Sequence, residues 1–218
     1  PHKQNIIPYL DEISTASRLC NAVNTITFKD GKYYGTITDG IGFTRSLEEQ
    51  GWLIKDKKIT MVGAGGASTA IMVQLALDGV KEIIVYNRTM RTEFQEIINN
   101  TIIETGCTIT LKSLSDLESL KKDMHSSYLF INTTGVGMEP MLERSVVPDA
   151  SYFKPDLKVA DIIYQPAVTK MLRLAKEAGC ATMNGELMLL YQGVESFKIW
   201  TGQEMPINEV KKVLGIEV

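Results

Sequence analysis

From Lys57 onward, short apolar runs alternate with longer segments whose apolar positions recur at helical spacing. Residues 59–62, 82–86, 108–111, 128–132 and 159–163 read as strands. Residues 67–77, 92–104, 114–124 and 169–178 read as helices, with Gly79 and Gly179 as stops. Strands that are apolar on both faces, each followed by a helix, predict a parallel sheet covered on both sides. The expected fold is α/β, a Rossmann-like doubly wound parallel sheet. The first fifty residues follow a different pattern. Residues 4–19 carry apolar positions that fit two short helices. Residues 21–28 and 33–38 are β-rich and flank Asp30-Gly31, which predicts a hairpin. A helix is expected over 43–50, stopped by Gly51, and two more over 187–201 and 207–214. Asn24 and Asp39 fall at the edges of the hairpin, where Asp39 could cap the following helix.

Composition narrows this picture only a little. The 218 residues allow one large domain or two small ones, and 44% apolar content suits a globular core. A net charge of −3 gives no reason to expect a nucleic-acid surface. No apolar run approaches the roughly 18 residues of a membrane span, and no secretory leader pattern opens the chain. Cys20, Cys107 and Cys180 are widely spaced and form no CxxC, so idle thiols in a reducing cytoplasm are expected and no metal site is.

The stretch from Lys58 to Ala70 carries the first chemical signal. An apolar strand ends in Gly63-Ala64-Gly65-Gly66-Ala67, and a helix follows. Gly63 permits a tight turn, Gly65 lets backbone approach a pyrophosphate, and the helix N-terminus offers free N–H groups to that anion. Ser68 holds the third fingerprint position in place of Gly or Ala, and an ordinary βα turn could carry the same pattern. The second strand ends in Asn87-Arg88-Thr89, with Arg91 close behind. An acid at this strand end favours a free ribose 2′-hydroxyl, whereas an Arg accommodates a 2′-phosphate, so NADP(H) is expected over NAD(H).

Several motifs stand in one order: Pro1-His2-Lys3, Ala22-Val23-Asn24-Thr25, Thr38-Asp39-Gly40, the glycine turn, Asn87-Arg88-Thr89, Asn132-Thr133-Thr134 with Gly137-Met138, Asp161-Ile162-Ile163-Tyr164, and Asn184-Gly185 through Gln192-Gly193. In this the chain resembles the shikimate dehydrogenases, including their quinate/shikimate branch, over essentially its whole length. The resemblance implies NADP-dependent, reversible reduction of 3-dehydroshikimate to shikimate, a step of aromatic amino-acid (chorismate) biosynthesis. It implies Lys3 and Asp39 as the catalytic pair, both also touching substrate, and Asn24, Tyr164 and Gln192 as further substrate contacts. For the cofactor it implies Gly63, Ala64, Gly65, Gly66 and Ala67 at the pyrophosphate and Asn87, Arg88 and Thr89 at the adenosine. Thr133, Gly185 and Met188 would lie near the nicotinamide.

The chain differs from the family at Ile37, usually Asn; at Cys20-Asn21, commonly Gly; and at Glu186-Leu187, which separates Gly185 from Met188. Family members carry a strand–helix–strand segment ahead of the first motif. On this resemblance the chain is expected to lack it and to turn over poorly alone. Residues 1–43 would be the remnant of a truncated substrate-binding domain, 44–186 the NADP domain, and 187–218 helices returning to the substrate side. A monomer or homodimer is expected, with a small-molecule substrate and neither nucleic acid nor membrane as partner. Two other readings are a dehydrogenase of folate or glutamyl-tRNA type, and a nucleotide-binding regulatory or scaffold protein of the same fold without turnover. Lys3, Asn24, Asp39 and Gln192 argue against the first.

Overall fold

Six short strands, β4 (Lys58–Val62), β5 (Glu82–Asn87), β6 (Thr108–Ser113), β7 (Leu129–Asn132), β8 (Lys158–Asp161) and β9 (Ala181–Met183), pair in parallel in the order β6-β5-β4-β7-β8-β9. The computed structural model describes residues 2–216, so Pro1 of the first motif and the last two residues of the range 187–218 lie outside it. Ile59, Met61, Val62, Ile83, Val85, Leu129, Phe130 and Ile131 are wholly or almost wholly buried, as strands covered on both faces must be. The crossovers are helices α3 (Gly66–Leu77), α4 (Thr92–Thr105), α5 (Leu117–Ser126) and α6 (Lys170–Glu177). Strand order reverses between β4 and β7, and in open α/β sheets the crevice beyond that reversal is where ligands bind.

A second sheet of three strands precedes the first. β2 (Thr25–Lys29) and β3 (Lys32–Thr36) form the expected hairpin. Its two loop residues, Asp30 and Gly31, have φ of 52° and 79°, the left-handed pair a tight I′-type turn demands. The expectation of two helices over 4–19 is corrected. The segment holds a 3-10 turn (Ile7–Tyr9), the two-residue strand β1 (Glu12–Ile13) and one helix, α1 (Thr15–Cys20). β1 exists because Glu12 and Ile13 pair in parallel with Tyr34 and Gly35, a contact that local periodicity does not encode.

Helix α2 (Asp39–Glu49) links the two sheets. It begins four residues earlier than expected and runs unbroken through residue 43. Gly40 and Gly42 let it wedge between two other helices. A Cβ on Gly40 would lie 2.5 Å from the Ala70 carbonyl of α3, and one on Gly42 would lie 2.6 Å from the Gln192 nitrogen of α7 (Glu186–Thr201). The last helix, α8 (Ile207–Leu214), is tied back to α2 through the buried Lys211, which pairs with Glu49. Glu49 also accepts the Tyr191 hydroxyl at 2.5 Å. Strand β9 was not expected, because three residues with one buried side chain carry no readable period. Among the described residues, no helix is long and apolar enough to cross a membrane.

Candidate functional site

The turn after β4 shows what each glycine does. Gly63 has φ +123°, and a Cβ there would meet Thr133 Oγ1 at 2.4 Å, so only glycine fits where β4 and β7 end side by side. Thr133 fixes the same corner by donating to the Val62 carbonyl at 2.7 Å. Gly65 caps α3 in extended backbone, and a Cβ on Gly65 or Gly66 would meet nothing within 4 Å. The departure at Ser68 has a local reason: its buried hydroxyl donates to the Gly63 carbonyl at 2.6 Å and braces the turn from within.

A cavity of about 1010 Å³ opens from this turn along the carboxyl ends of the strands. Gly63, Ala64, Gly65, Thr133, Asn87 and Arg88 line it, together with Arg91. Asn87 donates to the Thr89 carbonyl at 2.7 Å and shapes the loop that displays Arg88. Thr89 itself does not line the cavity, and Gly66 lines a neighbouring one with Lys3, Cys20 and Arg91. Ala67 lies in the first turn of α3. The far wall was not anticipated. Ser113 and Ser115 come from the end of β6, which runs two residues past its expected limit. Residues 143–148 close the cavity because Arg173 grips the Glu143 carboxylate at 2.9 and 3.1 Å and Lys170 donates to the Glu143 carbonyl. No sequence pattern marks that loop, since its partners lie about thirty residues downstream.

Lys3 and Asp39 meet on the other side of the glycine turn. The Lys3 ammonium donates to Asp39 Oδ2 at 2.5 Å, with the Lys3 side chain 51% exposed and that of Asp39 11%. Asp39 is in the first helical turn and is not the cap. Thr38 holds that position, and no side chain caps the helix. The Asp39 carboxylate is thereby free for Lys3. Asn24 is one residue removed, its Oδ1 accepting from the Thr38 N–H at 3.1 Å. Gln192 lies on α7 where Gly42 lets α2 approach. Tyr164 is half-exposed and makes no hydrogen bond to these four among the described residues; it lines a separate cavity of about 680 Å³ with Thr133, Met138 and Ile162. Gly185 caps α7 where a Cβ would lie 2.0 Å from the Ile162 carbonyl, and Met188 is buried one turn on. Neither lines the large cavity. Cys20 lines the cavity beside Lys3, but burial, reinforced by the Asp39 charge, pushes its thiol up to about 12, which leaves no thiolate for nucleophilic chemistry.

Asp161, which ends β8, is an organiser rather than an open-site acid. Its Oδ1 accepts from Asn132 Nδ2 at 3.0 Å and the Ile163 N–H at 3.1 Å, and its Oδ2 from the Thr169 hydroxyl at 2.8 Å. Burial outweighs these donors and raises its pKa from 3.8 to about 6. The folded state therefore binds this proton more tightly, so the contribution to stability is complete below about pH 4 and is lost as pH rises through about 6. Between those limits the wild type should lose roughly 2–3 kcal/mol relative to Asp161→Asn. Denaturant unfolding of both proteins across the range checks it, and a pH-independent difference would refute it.

Comparison with known proteins follows the same outline. The family described as Shikimate / quinate 5-dehydrogenase matches residues 46–165, and the Shikimate 5'-dehydrogenase C-terminal domain matches residues 185–214. A shikimate dehydrogenase (NADP(+)) from Listeria innocua is 44% identical over 98% of this chain and 74% of its own length. One from Streptococcus uberis is 46% identical, with the same two shares. The crystal structure of shikimate 5-dehydrogenase from Listeria monocytogenes, in complex with shikimate and NAD, superposes with a TM-score of 0.94. It is 45% identical, over 98% of this chain and 75% of that one.

Proposed function

The chain belongs to the shikimate dehydrogenase family, and from that premise we infer that it catalyses the NADP-dependent, reversible reduction of 3-dehydroshikimate to shikimate. The observation that carries the reading is the contact between Lys3 and Asp39, 36 positions apart in sequence, beside a cavity built for a dinucleotide. The cavity fits NADP(H) on its own chemistry: open backbone at Gly65 for a pyrophosphate, with Gly66 just beyond it, and the guanidiniums of Arg88 and Arg91 for a phosphate at the adenosine end. When bound, NADPH supplies a hydride to the substrate's carbonyl carbon. The carbonyl oxygen must then gain a proton, and the Lys3 ammonium is the donor. Asp39 holds that ammonium in place. In the oxidative direction Lys3 takes the same proton back. Asn24 and Gln192 orient the substrate's oxygens, and Tyr164 contributes from the neighbouring cavity beyond β8. Gly185 and Met188 would act on the nicotinamide end indirectly, by fixing the start of α7. The two separate sheets, one within the range 1–43 and the other within 44–186, support a substrate side and an NADP domain, with α2 crossing the boundary at residue 43 and the helices of the range 187–218 returning to the substrate side. The three free cysteines support a cytoplasmic setting.

The direct test is an absorbance assay for NADPH formed from shikimate and NADP, run beside a calorimetric titration with NADPH. Measurable turnover of shikimate, at whatever rate, is the expected result. Tight NADPH binding without turnover would favour a regulatory or scaffold role, and turnover of folate-type substrates instead would favour that branch. Cofactor choice has its own test. Arg88→Ala should weaken NADPH binding by about 1.5–3 kcal/mol, the loss of one charge-assisted phosphate contact, and leave NADH binding nearly unchanged. Equal weakening of both would remove Arg88 from the 2′-phosphate.

A further inference from the structure

Asn24 presents an amide whose orientation is decided by a donor without alternatives. The backbone N–H of Thr38 lies 3.1 Å from Oδ1, so the carbonyl end of the amide must face it. Nδ2 gives one N–H to Thr38 Oγ1 at 3.1 Å. Its second N–H has no protein partner among the described residues and belongs to an exposed side chain next to the helix start that carries Asp39.

A second donor reaches Oδ1 from below. The hydroxyl of Thr25, buried in β2, lies 2.9 Å from it. Thr25 has a single proton and two oxygen neighbours, the other being Ser196 Oγ on α7 at 2.8 Å. Ser196 is buried one turn beyond Gln192, whose carbonyl lies 3.0 Å from the same hydroxyl. Thr25 gives its proton to Asn24 Oδ1, which then takes two donors, Thr25 Oγ1 and the Thr38 N–H, when the single Ser196 proton turns from the Gln192 carbonyl toward Thr25. Such a relay also polarises each bond in turn. The free N–H of Asn24 is then held outward as a donor for a substrate hydroxyl or carboxylate oxygen.

We propose that the buried hydroxyl pair Thr25–Ser196 is a positioning unit that fixes the amide of Asn24 toward the substrate. The proposal rests on the reading of Asn24 as a substrate contact. Neither hydroxyl touches the reacting atoms; both act through Asn24, and Ser196 links that amide to the helix that carries Gln192.

Thr25→Val is close to isosteric, and it lets the Ser196 proton turn to the Gln192 carbonyl at 3.0 Å, so no buried polar atom is orphaned. It should raise KM for shikimate roughly three- to tenfold, the worth of one lost hydrogen bond, with kcat within about twofold and NADPH affinity unchanged. Thr25→Ser, which keeps the hydroxyl, should restore the wild-type KM. Ser196→Ala should act in the same direction with a smaller effect. In an Asn24→Ala background, Thr25→Val should add nothing further to KM. Three results would overturn the proposal: an unchanged KM in Thr25→Val, a full additional effect in the Asn24→Ala background, or a drop in kcat and cofactor affinity together with the melting temperature. If Asn24→Ala itself leaves KM unchanged, the substrate role of Asn24 fails and this inference fails with it. If Asn24→Ala raises KM and Thr25→Val does not, only this inference fails.

Discussion

Replacing Lys3 by Ala should cut kcat for shikimate oxidation by roughly 10²- to 10⁴-fold, the usual worth of a positioned general acid or base. NADPH affinity should be unchanged, because Lys3 does not line the large cavity at the glycine turn. Asp39→Asn keeps the shape and loses the charge that grips the ammonium, so it should fall in the same range. The double variant should lose far less than the product of the two effects, since the pair shares one contact and acts as a unit. Steady-state kinetics and an NADPH titration on the three variants read all of this. Near wild-type activity in Lys3→Ala would withdraw the proton-transfer role.

Gly65→Val should abolish useful cofactor binding while the protein stays folded. The backbone there is extended, with φ −91° and ψ −176°, which a β-branched residue adopts without strain. The space around its Cβ is empty of protein, so the added side chain meets only what the cavity would otherwise hold. Losing two or more charge-assisted contacts at about 1.5–3 kcal/mol each weakens NADPH by roughly a hundredfold or more. The control is Gly63→Ala, two positions away. Its φ of +123° and the Thr133 hydroxyl 2.4 Å from the new Cβ make that change an attack on the fold itself. Melting curves should separate the two, with Gly65→Val near wild type and Gly63→Ala well below it. An unchanged NADPH affinity in Gly65→Val would leave the turn with a purely structural purpose.

The amino-acid sequence by itself determined five of the six strands of the larger sheet, all but β9, because buried strands and their covering helices are written as local periods punctuated by glycine. It determined the hairpin at Asp30-Gly31 for the same reason: left-handed turn residues are a local requirement. Motif order also named the candidates Lys3, Asn24, Asp39, Arg88 and Gln192, although chemistry read that way carries no distances. Only the tertiary structure decided what depends on partners far along the chain. β1 is two residues long and exists through its pairing with β3. α2 begins at Asp39 instead of Phe43 because Gly40 and Gly42 are helical contact points rather than loop residues. The wall formed by residues 143–148 stands where Arg173 and Lys170 hold Glu143. Ser196, silent in sequence on an amphipathic helix, meets Thr25 from 171 positions away. Periodicity reports which face of an element is buried; which atom it is buried against is set by the packing of α2 between α3 and α7, and that packing brings Lys3, Asp39, Asn24 and Gln192 to one side of the glycine turn.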